Sequence, residues 1–191
     1  MYGFNKHNGV VTEGYLGNAE DFNGIVFLLK EPNNSEDADV FWFRNLLKEP
    51  ECYKNSTKTE KMVFTRFKNR FTEMIDFVCN DKELQDAVFC NINPVLGGDT
   101  ETPKVNEFIK DGKVEEMLKF FCTLKADITV FTCKNIYRHL LETDNIPDKI
   151  QKPGLTYKNG NLGCFQCEIN NTKITVYEII HPSRSSAIIN K

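Results

Sequence analysis

Four short runs of the chain are almost continuously apolar and rich in β-branched or aromatic residues: 24–29, 87–90, 128–131 and 174–180. Runs of that length and kind predict strands buried on both faces. Between them the apolar positions change period. Phe64, Phe67, Phe71, Met74, Ile75 and Val78 recur every three or four residues, which predicts a helix with one apolar stripe. Val114, Met117, Leu118, Phe121 and Cys122 do the same before the third strand, and Ile136, Leu140 and Leu141 after it. Strand alternating with helix predicts a three-layer α/β fold with a central, mostly parallel four-stranded sheet flanked by helices. The stretch 162–169, followed by the turn pair Asn170-Asn171, predicts an added antiparallel hairpin strand. Stretch 49–61 reads as a loop or a helix start, and 97–104 as a loop. No repeat or linker divides residues 1–191, which we read as one domain.

Composition narrows the class without changing the fold. The 191 residues carry ordinary proportions of apolar and charged side chains, with fifteen phenylalanines to fill a core. A formal net charge of −3 argues against coating nucleic acid by bulk charge and leaves room for a local basic strip. No apolar run reaches the roughly 20 residues of a membrane span. The start of the chain lacks the order of a signal peptide, so an intracellular, cytoplasmic protein is expected; we also expect a monomer. Among the seven cysteines, Cys79, Cys90, Cys122 and Cys133 lie in apolar stretches and read as reduced core residues. Cys164 and Cys167 form an isolated C-x-x-C without the second ligand pair that zinc requires; we expect no metal.

Ligands of open α/β sheets bind beyond the carboxyl ends of the strands, so the residues after each strand matter most. They are Lys30-Glu31-Pro32-Asn33-Asn34, Asn91-Ile92-Asn93-Pro94, Thr132-Cys133-Lys134-Asn135 and His181-Pro182-Ser183-Arg184. A carboxylate, amides and an imidazole would meet at one edge. Glu31 can cap a helix or pair with Lys30; it can also orient water or stabilise positive charge on a sugar. Asn91 offers a donor and an acceptor side by side, suited to a base edge, and Asn93 shares that capacity. His181, held extended by Pro182, suits proton transfer or polarising an oxygen. In Phe41-Trp42-Phe43 three adjacent rings cannot all enter one core, so one is free to stack on a base. Lys58, Lys61, Arg66, Lys68 and Arg70 form either the solvated face of a helix or a strip that contacts phosphates.

The joint order of an apolar strand with Lys30-Glu31-Pro32, one with Asn91, and one with His181-Pro182-Ser183 resembles the uracil-DNA glycosylase superfamily. The resemblance runs from about residue 24 to 187 and extends to the segment Phe43-Arg44-Asn45-Leu46-Leu47. It implies hydrolysis of the N-glycosidic bond of a damaged or deaminated base, without cofactor, on DNA or single-stranded nucleic acid. Glu31 then matches the carboxylate that positions water, and Asn91 the amide that reads the base. Phe43, or else Phe41, matches the stacking ring, and His181 the imidazole on the departing base. Ser183 and Arg184 match backbone contacts, to which Lys68 and Arg70 would add. Uracil-specific members have tyrosine where this chain has Asn33 and a wedging leucine where it has Ser185, which puts uracil specificity and duplex opening in doubt. No cysteine precedes Cys52, so no iron–sulfur cluster is expected. The rival readings are a non-catalytic module holding nucleotide or single-stranded nucleic acid in the same pocket, and a hydrolase of free nucleosides.

Overall fold

The computed structural model of the protein describes residues 21–29, 58–79, 81–91, 102–157 and 160–180. Strand β1, Ile25–Leu29, is buried at all five positions because its side chains alternate between two cores. Val26 and Leu28 enter one, while Ile25, Phe27 and Leu29 enter the other. Helix α1, Lys58–Val78, follows, and a 3-10 turn at Leu84–Asp86 leads into β2, Val88–Asn91. Helices α2 (Thr102–Lys110) and α3 (Lys113–Cys122) precede β3, Asp127–Cys133. Helix α4, Lys134–Glu142, starts directly at the end of β3. The remaining strands are β4 (Ile150–Lys152), β5 (Thr156–Tyr157), β6 (Gly160–Asn161), β7 (Cys164–Ile169) and β8 (Thr172–Ile179).

The main sheet has the order β2-β1-β3-β8-β7-β4. Its first four strands are parallel; β7 pairs antiparallel with β8, and β4 with β7. The sheet is thus larger than the four strands and one hairpin partner expected, by edge strand β4. Strands β5 and β6 form a separate antiparallel pair. Asn170 and Asn171 have φ of 52° and 63° and close the β7–β8 hairpin, a conformation that asparagine tolerates better than most residues. Helix α1 lays Phe64, Phe71, Met74 and Ile75 on one face of the sheet. Helices α2, α3 and α4 cover the other, with Ile109, Leu118, Phe121, Ile136 and Leu140 among their buried side chains.

The phenylalanines have a specific use. Phe89, Phe27, Phe131 and Tyr177 stand at matching register positions on the four parallel strands. Their rings form a row, with centroids 5.0, 5.0 and 5.5 Å apart and near-parallel planes. Phe71 of α1 covers the row, 4.4 Å from Phe27. Such cross-strand pairs add to the stabilisation that burial alone supplies.

Two loop assignments need correction. Part of 97–104 is helical, because Pro103 falls in the first turn of α2, where a missing N–H leaves no bond unmade. Stretch 49–61, read as a loop or a helix start, is helical from Lys58, in line with the second alternative; its earlier part lies outside the described residues. Thr132 and Cys133 also belong to β3 rather than to a connecting loop. No helix among the described residues is long and apolar enough to cross a membrane.

Candidate functional site

The four parallel strands finish on one edge. Leu29, the last residue of β1, is opposite Asn91, the last of β2; Leu28 is opposite Thr132, and Cys133 opposite Ile179. In chain order the parallel strands lie second, first, third, fourth. The chain therefore leaves β1 toward one side and crosses back to reach β3, which makes the β1–β3 junction a topological switch point. Thr132 sits in that junction with no solvent exposure, and its hydroxyl donates to the Leu28 carbonyl at 2.7 Å. This bond ties the two strand ends beneath the place where an α/β sheet receives its ligand.

Of the residues expected here, Asn91 is described as the end of β2, by its backbone alone. Glu31, Asn33, Phe41, Phe43, Asn93, His181, Ser183 and Arg184 lie outside the described residues. Lys68 and Arg70 are both on α1, but two residues apart on a 3.6-residue helix places them about 200° apart. Arg70 is half-buried and paired with Glu73 at 2.8 Å. Lys68 is exposed beside a crevice of about 370 Å³, among Thr72, Asp76, Asp81, Lys82 and Glu83. That crevice adjoins the segment entering β2, at the amino edge of the sheet. The structure does not bring Lys68 together with Arg70.

Three polar groups that the sequence reading passed over adjoin the carboxyl edge. Glu178, within the apolar-looking run of β8, is opposite Thr132. Its Oε2 accepts from the Gly163 N–H at 3.1 Å, and its own N–H donates to the Gly163 carbonyl at 2.9 Å. Tyr137 of α4 packs so closely on Gly163 that an added Cβ would lie 2.4 Å from its hydroxyl oxygen. Burial pushes the Tyr137 phenol up to about 12, with Cys164 and Glu178 adding to the effect. Tyr157 of β5 is buried, with the Ile180 backbone beside its hydroxyl. A carboxylate inside an apolar strand was the signal for Glu178. The tyrosines carry none without the register.

A second polar cluster lies between α3 and α4. Glu115 is 5% exposed; its Oε1 accepts from His139 Nε2 at 2.9 Å and from Thr143 Oγ1 at 3.2 Å. Burial pushes this carboxyl up, but its own backbone N–H and His139 outweigh burial and hold it below its ordinary value. Lys149 donates to the Leu140 carbonyl at 3.5 Å and to that of Thr143, closing the end of α4.

Cys164 and Cys167 stand three apart on β7, so their side chains leave opposite faces of the strand. Burial pushes each thiol up to about 11. Among the described residues no group of three or more His, Cys, Asp or Glu side chains is arranged to hold a metal ion. Comparison with family models, curated proteins and solved structures finds no match to this chain.

Proposed function

We propose that this chain is a nucleic-acid base glycosylase acting at the carboxyl edge of its parallel sheet. One observation carries the reading. Strands β1, β2 and β8 are followed in sequence by Lys30-Glu31-Pro32, by Ile92-Asn93-Pro94 after Asn91, and by His181-Pro182-Ser183, and they are parallel and end on one edge. In this reading a base is extruded from its strand, stacks on Phe43 or Phe41, and is read by Asn91 with Asn93 and Asn33 nearby. Glu31 orients water toward C1′ and stabilises the cation-like sugar. His181 donates to the oxygen of the leaving base, so that free base and an abasic sugar are the products. Ser183, Arg184 and cations of α1 hold the phosphates, and no cofactor takes part.

The second reading, a binding module without catalysis, is favoured by Asn33 and Ser185, which stand where uracil-specific members of the resembled family have tyrosine and the wedging leucine. The test is an excision screen with single- and double-stranded oligonucleotides, each carrying one modified base, scored by alkaline cleavage at abasic sites. Excision of at least one base supports the glycosylase. Binding without excision supports the module, and neither result would leave only the fold.

A further inference from the structure

Helix α1 separates its charges along its length. Toward its start Lys58, Arg66 and Lys68 are exposed and Lys61 and Arg70 half-buried. Toward its end stand exposed Glu73 and Asp76, followed by Asp81 and Glu83. The dipole of a helix favours the reverse, carboxylates in the first turn and cations in the last, and the last turn of α1 has no basic residue. Helix stability therefore does not account for the pattern.

The first half of α1 also overhangs the carboxyl edge of the sheet. The helix ends at the amino edge, where the Asp86 and Glu83 carbonyls accept from Asn23, just before β1, at 3.3 and 2.6 Å. Its middle lies over β1, where the Phe71 and Phe27 rings are 4.4 Å apart. Lys58 is thirteen residues before Phe71, about 20 Å along the axis, whereas β1 runs only about 7 Å from Phe27 to Leu29. The first turns of α1 thus reach past the strand ends.

Four positions in this half fall in one row. Lys58, Met62, Arg66 and Arg70 are spaced by four, so they share one ridge of the helix, each about 6 Å from the next. Met62 is 56% exposed, and among the described residues only Ile150 is a comparably exposed large apolar side chain. A thioether set among cations offers a base or sugar an apolar, polarisable contact. Arg70, the last of the row, is held by Glu73 at 2.8 Å and lies near the Tyr157 hydroxyl with the Ile180 backbone, where β8 ends. Lys61 and Lys68, spaced by seven, leave the opposite flank, and Lys68 lines the crevice with Asp76, Asp81 and Glu83.

We propose that the ridge of Lys58, Met62, Arg66 and Arg70 is the path along which the phosphates of a single nucleic-acid strand reach the carboxyl edge. The inference deepens the nucleic-acid reading above, on which it rests, and it requires no excision. One narrow ridge serves one strand, and a duplex laid along α1 would meet Glu73 and Asp76. A membrane surface is the poorer partner, because the apolar stripe of α1 is buried in the core and Met62 alone is left outside.

The experiment measures binding of the full chain to fluorescent oligothymidylate by anisotropy, from about 20 to 150 mM salt. It compares wild type with two double variants, Lys58→Gln with Arg66→Gln and Lys61→Gln with Lys68→Gln, which lose the same charge from opposite flanks. Each phosphate contact of a single strand adds about 0.7 to the slope of log affinity against log salt. The ridge variant should therefore lose about 1.4 of that slope and bind roughly tenfold or more weakly near 0.1 M salt. The other variant should bind like wild type. Equal losses in both would overturn the ridge in favour of bulk charge, and no loss in either would overturn it as well; both results leave the nucleic-acid reading standing. Wild type that binds vesicles of phosphatidylserine and phosphatidylcholine but not the oligonucleotide, or that binds neither, would overturn the inference together with that reading.

Discussion

Replacing Glu115 by glutamine is expected to destabilise the protein at neutral pH and to leave it nearly unchanged in acid. The carboxylate is 5% exposed, and its Oε1 takes hydrogen bonds from His139 and Thr143 across the α3–α4 contact. Glutamine keeps the shape and the acceptor but loses the charge. A hydrogen bond to a charged group contributes about 1.5–3 kcal/mol, and that is the loss expected at pH 7. For a domain of this size each kcal/mol is about 2–4 °C, so the Tm should fall by roughly 3–12 °C. The pH dependence follows from the depressed pKa of Glu115. Its contribution is complete above the ordinary value of 4.5 and is lost as pH falls through the lower, folded-state value. Thermal melts of both proteins between pH 7 and pH 3 should therefore converge at the acid end. A gap that stays constant across that range, or no gap at pH 7, would refute the assignment of stabilising charge to this carboxylate.

Gly24 has φ of +84°, and a Cβ there would lie 2.7 Å from the Asp127 carbonyl oxygen, a backbone atom that cannot yield without disturbing β1 and β3. Gly24→Ala should cost about 2–5 kcal/mol from the left-handed conformation and the overlap together, read as a lower urea midpoint. Cys164 and Cys167 should resist thiol reagents in the native state at pH 8 and label fully after unfolding, since both are buried and burial pushes their thiols up to about 11. If the chain binds nucleic acid at the carboxyl edge, Arg70→Gln should weaken binding and flatten its salt dependence. Lys68→Gln should do neither, because Lys68 projects from the other side of α1, beside Asp76, Asp81 and Glu83. Equal effects of the two substitutions would point to a continuous strip along α1.

The strands were readable because each carries two cores at once. In β1 and β3 both alternating faces are apolar, so the run is continuous and needs no tertiary information. The hairpin was readable because Asn170-Asn171 is a turn pair in its own right. Strand β4 was not, since Ile150, Gln151 and Lys152 are all exposed and are held by pairing with β7 rather than by burial. Helix α2 was hidden because Pro103 reads as a breaker wherever its place in the first turn is unknown. For the candidate site, chain order is enough to say which residues follow strand ends, but not which side chains meet. Glu178 with Gly163, and Glu115 with His139 from 24 residues away, are joined by register and helix packing, which leave no mark on local composition.

The central claim, that the residues following β1 and β8 perform base excision, is tested most directly by single-turnover kinetics. The substrate is the best one from the excision screen, and wild type is compared with Glu31→Gln, each protein first shown to melt at the same temperature. Loss of electrostatic and proton-transfer help at such a carboxylate commonly costs about a hundredfold or more, and a fall of that size in the excision rate is expected. Excision by Glu31→Gln at the wild-type rate would contradict the account.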